Sequence, residues 1–158
     1  MSYDFNADDV FEMAEQMERN GGKFYRTAAE NTTDPDNKGF LLSLAEMEDQ
    51  HEKTFKAMRA ELTGHDKAST VFDPEGEAAL YLRALSDTRV FFEKEIDVTS
   101  MRNILKSAIE AEKDSIVFYL GMKEAVPENF GKGRLDGIIK EEMGHIKVLS
   151  KKLVAHKD

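Results

Sequence analysis

Two stretches of the chain place a Glu three residues before a His. The first runs from Glu48 to His51 within LAEMEDQH, and the second from Glu142 to His145 within IKEEMGH. Carboxylate and imidazole groups are ligands for iron and manganese, and this spacing puts both side chains on one face of a helix. One such pair is a weak signal in a chain with 31 acidic residues, so the surrounding pattern has to decide whether the two pairs belong together.

The two Glu/His pairs are part of a longer internal repeat. A shift of 94 positions superimposes residues of several types from the two halves of the chain. The matched pairs are Glu18 with Glu112, Tyr25 with Tyr119, Glu48 with Glu142, and His51 with His145. Several functional residue types matched at one offset indicate two copies of one helical hairpin, packed about an approximate two-fold axis.

Four long segments carry apolar residues at helical spacing. They predict helices over residues 7–31, 37–62, 99–126 and 133–156, the first capped by Asn6 or Asp8. Residues 63–98 form a long crossover that is predicted to hold a shorter helix near 75–92. Two short-loop hairpins joined by one long crossover are typical of a ferritin-like four-helix bundle, so the predicted fold class is all-α, with residues 1–158 as one domain.

Each predicted helix carries one Glu on its apolar stripe, and two helices add a His on the same face. These inward residues are Glu18, Glu48, His51, Glu112, Glu142 and His145. Within each hairpin the two Glu residues lie equally far from the turn, so all four are expected at one level of the bundle. Most Glu residues on helices face solvent, and the neighbouring carboxylates off the stripe are assigned to the surface. They are Glu46, Asp49, Glu110 and Glu141.

Four carboxylates in an apolar core require compensating positive charge, because burial of an unpaired charge is very costly. Two divalent cations balance the four Glu residues if both His residues are neutral. One Glu from each of two helices with Glu-x-x-His from the other two is the ligand pattern of di-iron and di-manganese carboxylate bundles. The six residues therefore predict a site for two Fe ions per chain, with Mn as an alternative.

These residues resemble the rubrerythrin family, within the ferritin-like superfamily, over the four-helix part of the chain. The resemblance rests on MERNGGKFY and AEKDSIVFY, each with a Tyr seven residues after a Glu, and on LAEMEDQH and IKEEMGH. It implies a role in metal binding for each inward residue: Glu48 and Glu142 as the bridging pair, Glu18 and Glu112 as terminal or bridging ligands, and His51 and His145 as completing one metal shell each.

The resemblance also implies a reaction. Members of the family react a reduced di-iron centre with hydrogen peroxide or oxygen, and many dimerise, sometimes exchanging helices between subunits. The chain is accordingly expected to be a non-haem redox protein and a homodimer. It has no Cys for a rubredoxin-type iron centre, so its electrons are expected from a separate donor protein.

One departure from rubrerythrins proper concerns the peroxidase reaction. They carry a further carboxylate one turn after the Glu of the third helix, where this chain has Ser115. The remaining six ligands resemble the symmetric centre of bacterioferritins, and peroxidase activity does not follow from metal binding. A non-enzymatic iron-binding protein for storage, buffering or sensing is the alternative, and the sequence does not decide whether the protein is an enzyme.

Two Tyr residues are secondary candidates for the site. Tyr25 and Tyr119 follow Glu18 and Glu112 by two helical turns on the same face, and the repeat preserves both. They either hydrogen-bond to ligands or pack as amphipathic core residues.

Composition limits the partners and the cellular location. A net charge of −9 argues against nucleic acid and anionic membranes as partners. The chain lacks Cys, which excludes disulfides. Its acidic, polar start is unlike a signal peptide, and no apolar run is long enough to span a membrane, so a cytoplasmic protein is expected.

Overall fold

The structure, a computed structural model, describes residues 6–62, 80–82, 84, 98–126 and 131–157. Four long helices make up most of this part of the chain, and the described residues include no strand. The helices are α1 (Ala7–Glu30), α2 (Pro35–Ala60), α3 (Met101–Ala125) and α4 (Lys132–Ala155). Every bound lies within two residues of its predicted position, and the all-α fold class is confirmed.

Local hydrogen bonds define where the helices begin. The Asn6 side chain accepts from the Asp9 backbone N–H while the Asp9 carboxylate accepts from the Asn6 backbone N–H, so Asn6, one of the two predicted caps, starts α1. Asp34 caps α2, which starts at Pro35, two residues before the predicted start. Pro suits the first position of a helix because a backbone N–H at that position would have no partner within the helix. Loss of a side-chain cap such as Asn6 or Asp34 costs about 1 kcal/mol.

Two apolar clusters fill the bundle above and below its middle. The first contains residues from the beginning of α1 and α4 and from the end of α2 and α3, among them Val10, Phe11, Phe55, Met58, Phe118, Met122, Leu135 and Ile138. The second contains residues from the opposite halves, among them Phe24, Ala28, Leu41, Leu44, Ile104, Leu105 and Leu149. Therefore α1 and α4 run in one direction along the bundle, and α2 and α3 run in the opposite direction.

This arrangement requires a connection along the whole bundle between α2 and α3, because the two helices are parallel. The helices pack as two hairpins, α1 on α2 and α3 on α4, and α1 also contacts α3. The predicted pairing of two hairpins through one long crossover is thus confirmed. None of the described helices is long and apolar enough to cross a lipid bilayer.

Part of the crossover packs against the bundle. Residues 80–82 and 84 are helical, as predicted, and the other residues of the predicted 75–92 helix lie outside the described ranges. The Leu82 side chain is fully buried in the first cluster. The Tyr81 hydroxyl donates a hydrogen bond of 2.9 Å to the Val117 carbonyl on α3. This stretch covers the end of the bundle where α3 ends.

Candidate metal centre

The six predicted residues lie together at the level between the two apolar clusters. Each helix contributes one Glu, and α2 and α4 add a His one turn later. Each of the six residues is at most 4 % exposed, whereas the other acidic residues of the described ranges, except Glu15, are at least partly exposed. The six are Glu18, Glu48, His51, Glu112, Glu142 and His145. Each occupies its helix's apolar stripe, so the packing that buries the neighbouring Leu and Phe residues also buries the carboxylates.

The ligand atoms form two clusters that share two carboxylates. Within each cluster, one atom per residue lies within 4.8 Å of every other. The first cluster is Glu18, Glu48, His51 and Glu142, and the second is Glu48, Glu112, Glu142 and His145. Glu48 and Glu142 belong to both, which is the arrangement expected of carboxylates placed between two ions.

Both imidazole rings direct Nδ1 at the carboxylates. His51 Nδ1 lies 3.2 Å from Glu142 Oε1 and 3.5 Å from Glu18 Oε2. His145 Nδ1 lies 3.2 Å from Glu142 Oε2 and 3.3 Å from Glu112 Oε1. The rings are nearly parallel, with centroids 5.8 Å apart. Each His therefore contributes one ring nitrogen to its own cluster.

The atoms of the site that lack a hydrogen-bond partner indicate whether the residues present fit metal ions. Within the described part of the chain, four buried atoms of the site have no hydrogen-bond partner: Glu18 Oε2, Glu48 Oε1, Glu142 Oε2 and His145 Nδ1. Buried polar atoms are nearly always hydrogen-bonded, and an unsatisfied one costs about 1–3 kcal/mol. These atoms converge from α1, α2 and α4, and their contacts with one another, such as His145 Nδ1 with Glu142 Oε2 and Glu48 Oε1, are ion-pair distances rather than hydrogen bonds. Cations that accept lone pairs from oxygen and nitrogen would satisfy all four, so the residues fit a metal centre.

The titration behaviour of the shared carboxylates reflects the crowding of charge. Burial, and then the charge of neighbouring carboxylates, raises the pKa of both Glu48 and Glu142 well above the usual value. Burial acts on Glu112 in the same direction, but the proximity of Glu142, His145 and Tyr25 outweighs it and lowers the pKa of Glu112. Without cations the site therefore retains protons, which divalent ions would replace.

The two His residues titrate high for the same reason. Burial alone would lower the pKa of His51, but the neighbouring carboxylates, Glu18 first and then Glu141, raise it to about 9. Burial is likewise outweighed at His145, where the surrounding Glu residues raise the pKa to about 12. In the absence of metal, both imidazoles are cationic at neutral pH and partly offset the carboxylates.

Both Tyr candidates lie beside the site, each bound to a Glu from a different helix. Tyr25 of α1 donates a hydrogen bond of 2.6 Å to Glu112 Oε1 of α3. Tyr119 of α3 donates a short hydrogen bond to Glu18 Oε1 of α1. Both hydroxyls are buried, and burial, followed by the nearby carboxylates, raises the pKa of each Tyr well above 10. The hydrogen-bonding alternative of the sequence analysis therefore describes these residues, with the pairing crossed between α1 and α3.

Sequence reasoning missed one carboxylate that contacts the site. Glu141 was assigned to the surface, and its side chain is 55 % exposed, yet its Oε2 lies 2.5 Å from His51 Nε2. The surface assignments of Glu46 and Glu110 agree with their exposure, and Asp49 forms an ion pair with Arg26. Glu141 lies beside the ligand Glu142 in sequence, but its contact is on α2, and the stripe of a single helix does not report such a contact.

Gly21 gives Glu48 the space that its carboxylate occupies. A Cβ atom at Gly21 would lie 2.5 Å from Glu48 Oε2, closer than side chains approach one another. Gly21 is on the α1 stripe one turn after Glu18, so the sequence places it at the site without explaining why it is Gly. The close approach of α1 and α2 supplies the reason.

Comparisons with known proteins agree with this fold. Residues 1–59 match the Rubrerythrin family model, which confirms the predicted resemblance over α1 and nearly all of α2, including Glu18, Glu48 and His51. No curated protein matches the chain. A crystal structure from Thermotoga maritima, of a protein proposed to be a ferritin-like diiron-carboxylate protein, is similar with a TM-score of 0.71 and 22% identity. The similarity covers 98% of this chain and 99% of that one, and establishes a ferritin-like fold.

Proposed function

We propose that the protein is a non-haem di-iron redox protein that reduces hydrogen peroxide or oxygen with electrons from a separate donor protein. Manganese fits the same oxygen and nitrogen ligands. The proposal rests on one observation: two four-residue ligand clusters share Glu48 and Glu142, and their unpartnered atoms converge in a buried site. The family match over residues 1–59 and the ferritin-like fold support it.

The site offers a complete set of ligands for two ions. Glu18 and His51 would hold one ion and Glu112 and His145 the other, with Glu48 and Glu142 between them. When bound, a pair of iron ions supplies two electrons and Lewis-acid stabilisation of the oxygen anions that form on reduction of the oxidant. The remaining work of binding, orientation and proton supply belongs to the protein.

Tyr25 and Tyr119 keep protons at the site and orient two of the ligands. Their raised pKa values leave both hydroxyls protonated at neutral pH. Each O–H donates to the Glu that belongs to the other hairpin. Tyr119 holds Oε1 of Glu18 and leaves Oε2 facing His51, whereas Tyr25 holds the Glu112 oxygen, Oε1, that also lies 3.3 Å from His145 Nδ1. A buried phenol held in this way would supply a proton to a reduced oxygen species. The apolar clusters on both sides limit the access of water.

A specific observation favours the alternative of an iron-binding protein for storage, buffering or sensing. Ser115, where rubrerythrins proper carry a further carboxylate, donates its hydroxyl hydrogen bond to the Ala111 carbonyl one turn back in α3, at 3.1 Å. It therefore offers no additional anionic ligand. The six remaining ligands are arranged symmetrically, as expected of a centre that holds its ions in fixed positions.

Metal loading and oxidant kinetics together test the proposal. The purified protein is loaded anaerobically with Fe(II), its iron content is measured, and it is mixed with peroxide or oxygen in a stopped-flow instrument. We expect two Fe per chain, rapid oxidation, and turnover once a donor is added. Storage would instead give large amounts of iron per chain in a hollow shell, so native mass separates it from the expected homodimer, with or without exchanged helices.

The variant Glu48→Ala tests the ligand assignment. Because Glu48 belongs to both clusters, its loss should reduce the iron content from two per chain to below one. Glu46→Ala is the matched control, since Glu46 lies on the same helix but is exposed, and it should load normally. Full loading of Glu48→Ala would show that the ligands are misassigned.

A further inference from the structure

The two His residues have different partners at the ring nitrogen that faces away from the site. His51 Nε2 lies 2.5 Å from the carboxylate oxygen Oε2 of Glu141, on α4. His145 Nε2 lies 3.3 Å from the thioether sulfur of Met47, on α2. Both contacts cross between α2 and α4, and both partners are partly exposed at the bundle surface.

Glu141 and Met47 occupy equivalent positions in the two hairpins. The 94-residue shift that superimposes the Glu, Tyr and His residues of the site also places Met47 on Glu141. Each of the two residues lies four positions before the His of its own helix, and the chemistry of the two side chains differs. The pseudo-two-fold symmetry of the ligands does not extend to this pair.

The difference in chemistry acts on the His residues as ligands. A neutral imidazole that uses Nδ1 as a ligand carries its proton on Nε2, and the acceptor of that proton sets the ring's tautomer and orientation. A carboxylate is a strong acceptor that increases the electron density at Nδ1, whereas a thioether is a weak acceptor. The Nε2 side of His51 is accordingly held by the stronger acceptor, so His51 is the better oriented ligand of the two.

We propose that the two metal positions are inequivalent, with Glu141 as the positioning residue that makes the His51 position the tighter one. This inference deepens the proposed function and rests on it. The ion held by Glu18 and His51 binds first, and the ion held by Glu112 and His145 binds second and exchanges more readily. The sequence repeat alone would predict two equal positions.

Titration of the metal-free protein with Co(II), followed by visible absorption and calorimetry, tests the proposal. We expect two binding steps that differ by at least about tenfold in affinity. Loss of a hydrogen-bond partner behind a metal-bound His commonly lowers affinity about 10- to 100-fold. Glu141→Gln should therefore weaken the first step by that factor and bring the two steps together. Glu46→Gln removes the same charge from an exposed position and should leave both steps unchanged.

A second variant tests the same idea in the opposite direction. Met47→Glu places a carboxylate behind His145, and because the Met47 side chain is partly exposed, the substitution should not disturb folding. It should strengthen the second step and leave the first unchanged. In the Co(II) protein, proton NMR should show a shifted, slowly exchanging Nε2 proton for His51, which Glu141→Gln makes fast-exchanging.

The outcomes separate this inference from the proposed function. If the unmodified protein bound fewer than one Co(II) per chain, the metal centre itself would be refuted. Binding of two ions with one affinity, or two steps unaffected by both Glu141→Gln and Met47→Glu, would overturn the inference and leave the metal centre intact. A second step strengthened by Met47→Glu would support the inference even if Glu141→Gln failed to fold.

Discussion

At the scale of single residues, the defining feature of the site is a group of buried carboxylates, some of whose oxygens have no hydrogen-bond partner. Four of its oxygen and nitrogen atoms have no hydrogen-bond partner in the described part of the chain, and two Tyr hydroxyls hold two of the remaining oxygens. Such a cluster is destabilising in isolation, because each unsatisfied buried group costs free energy. Its retention in the middle of an apolar core is the strongest indication that cations belong there.

The crossed Tyr contacts lead to a prediction that is the opposite of the one expected if each Tyr acted on the Glu of its own helix. Tyr25 lies on the same helix as Glu18 but donates to Glu112, so Tyr25→Phe should weaken the ion at the Glu112 and His145 position. Tyr119→Phe should weaken the ion held by Glu18 and His51. Each loss should be about 10-fold or more in affinity, by analogy with other groups that orient ligands.

The measurement for the Tyr variants is the Co(II) titration, read step by step. Tyr25→Phe should act on the weaker step and Tyr119→Phe on the tighter one, and neither should prevent folding because Phe keeps the buried ring. If each variant affected the ion bound by the Glu of its own helix, the crossed hydrogen bonds would not govern the ligands.

At the scale of elements, the distance between packed helices determines how much space each ligand side chain has. The α1 and α2 helices pack closely enough that Glu48 reaches the space beside Gly21. The caps at Asn6 and Asp34 set the starts of the two helices, and the packing of α1 on α2 sets the heights of Glu18 and Glu48 along the bundle. The element-scale property that matters for the site is thus the register of α1 against α2.

Gly21→Ala tests this packing. The added Cβ would lie 2.5 Å from Glu48 Oε2, so either the carboxylate or the helix must shift, and both metal positions should weaken because Glu48 belongs to each. Gly137→Ala is the control: nothing lies within 4 Å of its Cβ position in α4. Replacing an exposed helical Gly in this way should stabilise the protein by about 1 kcal/mol and leave metal binding unchanged. Normal Co(II) affinity in Gly21→Ala would contradict the proposed crowding.

At the scale of the whole molecule, the balance between the buried carboxylates and the protons or metal ions that neutralise them determines how stability depends on pH. Without metal, the folded-state pKa values of Glu48 and Glu142 are raised above those of the unfolded chain, and so are those of His51, to about 9, and His145, to about 12. The folded protein therefore binds more protons than the unfolded chain above pH about 4.5, and stability falls as pH rises. The lowered pKa of Glu112 acts in the opposite direction, but in a window below pH about 4.5.

The metal-free protein should therefore lose several degrees in unfolding midpoint between pH 5 and pH 9. Metal ions replace the retained protons, so the metal-loaded protein should gain stability relative to the metal-free form over the same range. Thermal unfolding monitored by circular dichroism, with a chelator or with Co(II), measures both trends. A metal-free midpoint that rises from pH 5 to pH 9 would contradict the charge balance described for the site.

Much of this architecture follows from sequence because it depends on periodicity along one helix. The apolar stripes that place Glu18, Glu48, Glu112 and Glu142 inward are a property of each helix alone, and the 94-residue repeat matches the two hairpins. The helix bounds are likewise local, since caps and Pro residues set them. These features by themselves indicate the ferritin-like bundle and the six inward residues.

The tertiary structure decided the contacts that pass between helices. That Tyr25 donates to Glu112, that Glu141 lies against His51, and that Gly21 makes room for Glu48 all depend on the rotation and axial offset of one helix relative to another. Residue spacing within a helix determines which face a side chain occupies but not which side chain lies opposite it. The sequence by itself therefore determined which six residues face inward, and packing decided what orients each of them, including the difference between the two His residues.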